Sequence, residues 1–173
     1  MPYGRAPLAI GDSVLLGAAP AVAARGYEVD VRGCRPMSEG LALLRARAAA
    51  GTLPPFVVIV LGTNGPIAWS DLDAALRIVG PKRLLGLVTP RELGGGWGSD
   101  TTTIRAFARA KPGRTLLIDW VAYAGARGGL TYSDGIHLAP AGQAGMASLL
   151  TQAIADAYPL AARWGKQRVR PGR

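Results

Sequence analysis

Six successive apolar residues, from Phe56 to Leu61, constrain the fold of this 173-residue chain more than any other segment. A strand that faces water on one side alternates between apolar and polar residues, whereas a strand buried on both faces is apolar throughout. A glycine-containing turn, Gly62-Thr63-Asn64-Gly65, follows the run directly. The run therefore predicts a central strand of a parallel sheet that helices cover on both faces.

Further β-rich runs alternate with Ala/Leu-rich stretches along the chain. The predicted strands are residues 7–10, 27–32, 56–61, 83–88 and 115–118, and the predicted helices are residues 14–25, 38–50, 72–79, 101–110 and 140–158. Right-handed crossovers between parallel strands place helices on both sides of a sheet. The pattern predicts an α/β fold, a three-layer α/β/α sandwich with a five-stranded parallel sheet. Residues 1–160 would form one domain, and residues 161–173 a basic, flexible tail.

The charge balance, 20 Lys and Arg against 11 Asp and Glu, gives a net charge of +9 and favours anionic surroundings such as wall polymers, nucleic acid or lipid head groups. Aromatic residues make up only 6% of the chain, too few for the stacking surface of a nucleic-acid-binding protein, so no nucleic-acid partner is expected. No apolar run approaches the roughly 18 residues of a spanning helix. Asp12 interrupts the apolar stretch after Arg5, so we expect mature sequence there rather than a secretory signal.

Cysteine and histidine each occur once, as Cys34 and His137. A single cysteine excludes an intrachain disulfide, and one cysteine with one histidine argues against a zinc site. The sequence implies neither a metal nor an organic cofactor.

Ser13 follows the first predicted strand in the triplet Gly11-Asp12-Ser13. A serine on a tight turn between a strand and a helix has an exposed hydroxyl, and the helix start supplies backbone N–H donors beside a developing oxyanion. For an isolated triplet, a serine or aspartate that caps the next helix is the more common explanation. Asn64, after the third predicted strand, could aim its amide into the same crevice, although a turn residue is the alternative role.

Asp134 and His137 are spaced so that a short turn can bring the carboxylate to one ring nitrogen while the other nitrogen faces Ser13. A structural histidine and an ordinary turn aspartate are the alternatives. The joint occurrence of these residues with Ser13 and Asn64, in this order, favours a catalytic triad.

Four segments together resemble the four conserved blocks of SGNH hydrolases, also called the GDSL family, which have a flavodoxin-like fold. They are Gly11-Asp12-Ser13, a glycine after the second strand, Gly62-Thr63-Asn64 and Asp134-Gly135-Ile136-His137. The resemblance implies that Ser13 is the nucleophile, that His137 is the general base and then acid, and that Asp134 orients His137. It also implies an oxyanion hole formed by Asn64 and by the backbone N–H groups of Ser13 and Gly33.

Within that superfamily the segments are most similar to the extracytoplasmic domain of bacterial peptidoglycan O-acetyltransferases. The resemblance implies a serine-dependent O-acyl, here O-acetyl, esterase or transferase with a small acyl-ester donor and a carbohydrate acceptor such as peptidoglycan. It also favours an extracytoplasmic or wall-associated location, contact with an anionic wall polymer, and a membrane-embedded acyl-donor partner. Arg35, Arg91 and Trp97 are candidates for binding a carboxylate or a sugar ring.

Two other interpretations stay open. Cys34 could act as a thiol nucleophile with His137, because Arg32 and Arg35 flank it and would favour the thiolate. Alternatively, the fold could serve as a non-catalytic basic module that binds carbohydrate or wall polymer.

Overall fold

The computed structural model describes residues 5–92 and 98–166. Strands and helices alternate along these parts of the chain in the order β1 (Leu8–Gly11), α1 (Ser13–Ala23), β2 (Glu28–Val31), α2 (Met37–Ala49), β3 (Phe56–Val60), α3 (Trp69–Val79), β4 (Leu84–Val88), α4 (Ser99–Ala110), β5 (Thr115–Ile118), α5 (Trp120–Gly125) and α6 (Pro140–Lys166). All five predicted strands form. The short helix α5 was not predicted, and α6 continues past its predicted end at residue 158.

The five strands form one parallel sheet in the order β2-β1-β3-β4-β5. Ile10 of β1 pairs with Asp30 of β2 on one side and with Ile59 of β3 on the other. The chain therefore reverses its direction of travel across the sheet between β1 and β3, and ligands of open α/β sheets bind at such switch points. The predicted fold class, a three-layer α/β/α sandwich of the flavodoxin-like type, is confirmed.

The core consists of two apolar clusters, one on each face of the sheet, as the uninterrupted apolar sequence of β3 predicts. Val58 and Val60 face a cluster with α1, α5 and α6, which includes the fully buried Trp120. Val57 and Ile59 face the cluster with α2, α3 and α4. Full burial of one such side chain contributes about 1.5–3 kcal/mol, so this strand stabilises both layers at once.

A very short connection joins β1 to α1, because Asp12 alone separates the strand from the helix. Gly11 permits this turn, since a Cβ at that position would lie 2.4 Å from the Cβ of Leu15. The close approach fixes the start of α1 at the carboxyl end of a central strand. Within the described ranges, no helix combines the length and apolarity required to cross a bilayer.

Candidate active site

Ser13 is the first residue of α1, and Asp12 caps that helix. Asp12 has an extended backbone, and its Oδ1 accepts a hydrogen bond of 2.9 Å from the Val14 N–H. The first N–H groups of a helix have no acceptors within it and carry a partial positive charge. The hydroxyl of Ser13 therefore stands at an electropositive helix terminus at the switch point of the sheet.

A continuous line of hydrogen bonds joins Ser13, His137 and Asp134. The Nε2 atom of His137 lies 3.0 Å from the Oγ atom of Ser13, and its Nδ1 atom lies 2.7 Å from the Oδ2 atom of Asp134. The structure thus brings together three side chains that are up to 124 residues apart in the sequence. About half of the imidazole surface, 48%, is exposed, which leaves the histidine accessible from solvent.

A short turn holds Asp134 in position. Its Oδ1 atom accepts hydrogen bonds from the backbone N–H groups of Ile136 at 2.8 Å and His137 at 3.0 Å. Gly135, between Asp134 and Ile136, adopts a φ of 72°. The N–H of Ile136, together with the His137 ring, lowers the pKa of the Asp134 carboxyl below its ordinary value. Asp134 is therefore ionised near neutral pH.

The ionised carboxylate determines which ring nitrogen of His137 carries the proton. A carboxylate only accepts hydrogen bonds, so Nδ1–H must donate to Asp134 when the ring is neutral. The lone pair of Nε2 then faces Ser13 and can accept the hydroxyl proton. This is the arrangement of a nucleophile, a general base and a group that orients the base.

Asn64 follows β3, the neighbour of β1, and approaches the same end of the sheet. Its Nδ2 atom donates a hydrogen bond of 3.1 Å to the Oδ2 atom of Asp12. Asp12 therefore connects the helix that begins with Ser13 to the predicted oxyanion donor. Asp12 was absent from the predicted site residues, although its position inside the Gly-Asp-Ser triplet and its capping chemistry were the available signals.

Asp12 is a buried carboxylate, with 1% of its surface exposed. Burial raises its pKa above the ordinary value, and hydrogen bonds from Val14, Asn64 and Thr63 oppose that shift. A buried carboxylate is costly unless its oxygens are hydrogen-bonded, and here both of them are. The orientation of Asn64 is thus tied to the satisfaction of a buried charge.

Gly33 and Cys34 form the turn after β2, the other neighbour of β1. Gly33 has open space around it, since an added Cβ would meet nothing within 4 Å, and its role in an oxyanion hole remains a prediction. Cys34 is exposed and adopts a φ of 56°. The Nε2 atom of His137 contacts the oxygen of Ser13, so the geometry favours Ser13 over Cys34 as the partner of the histidine.

Arg35 was predicted to bind substrate, but its guanidinium faces the protein interior. Nη1 donates to the carbonyl oxygens of Asp30 at 2.7 Å and Gly11 at 3.2 Å, and Nη2 forms an ion pair of 2.8 Å with the Asp30 carboxylate. Arg35 is buried, with 8% of its surface exposed. Arg35 therefore joins β2 to β1, and its predicted substrate contact remains a prediction.

Arg91 lies just after β4, where it lines a crevice together with Asp12, Thr63 and Trp120. Its predicted substrate contact remains a prediction. Trp97, the other predicted substrate-binding residue of this loop, lies outside the described residues. Across residues 5–92 and 98–166, no three His, Cys, Asp or Glu side chains cluster in a way that could hold a metal ion.

The parallel sheet in this strand order is similar in fold to several solved structures described as GDSL-like or putative SGNH hydrolases. Comparison with solved structures confirms the predicted resemblance at the level of the fold. A GDSL-like lipase from Bacteroides thetaiotaomicron VPI-5482 is 17% identical with a TM-score of 0.67, over 87% of this chain and 88% of that chain.

Among these structures, the chain is similar to the C-terminal catalytic domain of peptidoglycan O-acetyltransferase A from Streptococcus pneumoniae. The TM-score is 0.73 at 21% identity, over 93% of this chain and 96% of that chain. The sequence is also 30% identical over 152 residues to a Bacillus subtilis (strain 168) protein described as "Putative peptidoglycan O-acetyltransferase YrhL". That match covers 85% of this chain but only 23% of the relative's length. No protein-family model matches the chain.

Proposed function

We propose that this chain is a serine-dependent O-acyl esterase or acetyltransferase domain that acts on a carbohydrate-like substrate such as peptidoglycan. The observation that carries the proposal is the line of hydrogen bonds from the Oγ of Ser13 through His137 to Asp134. The descriptions of the Streptococcus and Bacillus relatives support the acetyl group and peptidoglycan as the acyl group and acceptor.

The first step forms an acyl-enzyme. Ser13 Oγ attacks the carbonyl carbon of an acyl ester while His137 Nε2 takes the hydroxyl proton, and the carbonyl electrons move onto its oxygen. We assign the second N–H of the Asn64 amide, with the backbone N–H groups of Ser13 and Gly33, to this oxyanion. The oxyanion then re-forms the carbonyl, the bond to the leaving oxygen breaks, and the imidazolium protonates the leaving alcohol.

The second step reverses these roles with a different nucleophile. His137 removes a proton from water or from a sugar hydroxyl, and that oxygen attacks the acyl carbon. The bond between the acyl carbon and Ser13 Oγ then breaks, and the imidazolium returns the proton to Ser13. Water as the acceptor gives an esterase, and a sugar as the acceptor gives a transferase. The outcome depends on how well a bound sugar excludes water from the half-exposed imidazole.

Turnover of p-nitrophenyl acetate by the wild type, Ser13→Ala and Ser148→Ala tests the proposal, with and without a chitooligosaccharide. Ser148 is an exposed serine of α6 whose hydroxyl bonds to the Ala144 carbonyl, and it is the matched control. We expect a burst and an acetyl adduct on Ser13 in the wild type and in Ser148→Ala, and neither in Ser13→Ala. Mass spectrometry of the sugar separates transferase from esterase.

Two outcomes would contradict the proposal. Activity that persists in Ser13→Ala would exclude the serine mechanism and return attention to Cys34. Sugar binding by a wild type that turns over no ester would favour the non-catalytic binding module.

A further inference from the structure

Two exposed apolar side chains lie on the two chain segments that meet at the proposed triad. In the described residues, the large hydrophobic side chains with substantial exposure are Leu16 at 48%, Trp69 at 44% and Tyr132 at 55%. Single exposed apolar residues are ordinary in folded proteins. Leu16 and Tyr132, however, belong to the helix and to the turn that the Ser13–His137 hydrogen bond joins.

Backbone hydrogen bonds fix Tyr132 relative to the catalytic imidazole. Its N–H donates to the His137 carbonyl at 2.9 Å, and its carbonyl accepts from the Gly135 N–H at 2.9 Å. Thr131 and Leu138 form an antiparallel bridge at the base of the same turn. The backbone of Tyr132 is therefore held by the same turn that presents Asp134 and His137, while more than half of the residue faces solvent.

Leu16 lies one helical turn after Ser13. Residues three apart share a helix face, and side chains lean toward the amino end of the helix, which directs Leu16 toward Ser13. The next residue, Gly17, lies close to α6, because a Cβ added at this glycine would be 3.7 Å from the Nε2 atom of Gln143. That atom donates to the Leu138 carbonyl, so this part of α1 lies against the segment that follows His137.

We propose that Tyr132 and Leu16 bind one pyranose ring of the carbohydrate acceptor beside the Ser13–His137 pair, an inference that rests on the proposed function. A pyranose has a face of C–H groups and a rim of hydroxyls. A planar phenol ring and an aliphatic side chain suit the C–H face, as aromatic and apolar groups do in ligand sites generally. Stacking through the ring face leaves the sugar hydroxyls free to reach the half-exposed imidazole.

The platform, defined as Tyr132 and Leu16, also bears on the choice between water and sugar. A ring seated there would displace solvent from the half-exposed imidazole of His137. The acyl-enzyme would then meet a sugar hydroxyl more often than water. Loss of the platform should therefore raise the KM for the acceptor and lower the ratio of acetyl transfer to hydrolysis.

The test measures transfer to a chitooligosaccharide and release of free acetate in the same reaction, with p-nitrophenyl acetate as donor. We expect Tyr132→Ala to lower the transfer-to-hydrolysis ratio by roughly threefold to tenfold, the equivalent of an aromatic contact of about 0.5–1.5 kcal/mol. Tyr132→Phe should keep the ratio, and Leu16→Ala should lower it. Trp69→Ala is the control, because Trp69 is an exposed aromatic that contacts Phe107 on the opposite face of the sheet.

Three results overturn the inference. The first is an unchanged transfer-to-hydrolysis ratio in Tyr132→Ala. The second is an equal fall of transfer and hydrolysis in Tyr132→Ala, which would mean that the substitution only disturbs the turn around Asp134. The third is a fall of the ratio in Trp69→Ala as large as that in Tyr132→Ala. Failure of the underlying function is distinguishable, because Ser13→Ala would then retain ester turnover or the wild type would turn over no ester.

Discussion

Asp12→Asn should lower kcat strongly while it changes the free energy of unfolding only slightly. The carboxylate of Asp12 accepts hydrogen bonds from the Val14 N–H at the start of α1, from the Nδ2 of Asn64 and from Thr63. Asparagine caps helices about as well as aspartate, so its oxygen can keep the first contact. Its amide nitrogen then replaces the oxygen that faced Asn64, and two donors stand 3.1 Å apart.

Asn64 can relieve this conflict by rotating its amide by half a turn. The rotation restores a hydrogen bond, because the Asn64 oxygen then accepts from the new asparagine. It also removes the Asn64 N–H from the predicted oxyanion position and presents an oxygen instead. Loss of one oxyanion donor costs about 10²–10³ in kcat, or about 2.7–4 kcal/mol of transition-state stabilisation.

The free energy of unfolding should change far less. The cap is retained, and a neutral amide is less costly to bury than the carboxylate whose pKa burial raises. We expect a change within about 1 kcal/mol, since Asn and Asp rank as equal caps. Urea denaturation followed by tryptophan fluorescence measures it, with the buried Trp120 as a reporter.

A double-mutant cycle with Asn64→Ala tests whether Asp12 acts as a positioning residue through Asn64. Asn64→Ala alone should lower kcat by a similar factor, and Asp12→Asn in that background should add less than about threefold. Asp71→Asn is the control, because Asp71 caps α3 through the Ala68 N–H. Equal losses from Asp12→Asn in both backgrounds would refute the reasoning, as would a kcat close to that of the wild type.

Three further predictions concern the turn and helix that carry the base. Asp134→Asn should lower kcat by about 10³–10⁴ in the ester assay with little change in KM, because the amide no longer holds the Nδ1–H tautomer of His137. The pKa of Asp134 is depressed in the folded state, so its contribution to stability is present above the usual pKa of 3.8 and is lost as pH falls through the lower folded value. The stability difference between wild type and Asp134→Ala should accordingly shrink below that pH in urea titrations, and a constant difference would contradict this linkage. Gly142→Ala should destabilise the fold by about 1–3 kcal/mol in thermal melts, because an added Cβ would lie 1.8 Å from the Leu130 carbonyl oxygen. Gly125→Ala is the control, because an added Cβ there meets nothing within 4 Å, and it should be neutral or slightly stabilising in thermal melts as well.

The strands could be predicted from the sequence because their apolar runs are short and bounded by turn residues. The end of α6 could not. Pro159 follows the predicted end at residue 158, and an interior proline usually ends a helix, yet here the helix continues to Lys166 with Pro159 inside it. Helix α5 spans only six residues, too few for a helical period to stand out, and Asp119 as its cap was the local signal.

Within the site, a residue's position could be predicted from the sequence where it depends on neighbouring residues in the chain. The contacts that depend on which strands lie side by side could not. Ser13, at the junction of a strand and a helix, is recognisable from its neighbours. Arg35 is not, because its partners are a carboxylate on β2 and a carbonyl at the end of β1, which only the parallel register brings together. The bond between Asp12 and Asn64 depends in the same way on the adjacency of β1 and β3.

Because of the order of the proposed triad along the chain, the nucleophile is synthesised long before the base during translation. Ser13 follows the first strand, whereas all five strands are complete at Ile118, before Asp134 and His137 are made. Domains fold as units while the amino end emerges first. In a nascent chain, Ser13 would thus lack its general base until the turn around His137 docks against α1. The first ester turnover during synthesis would therefore report when the turn around His137 docks onto α1, and not when the sheet forms.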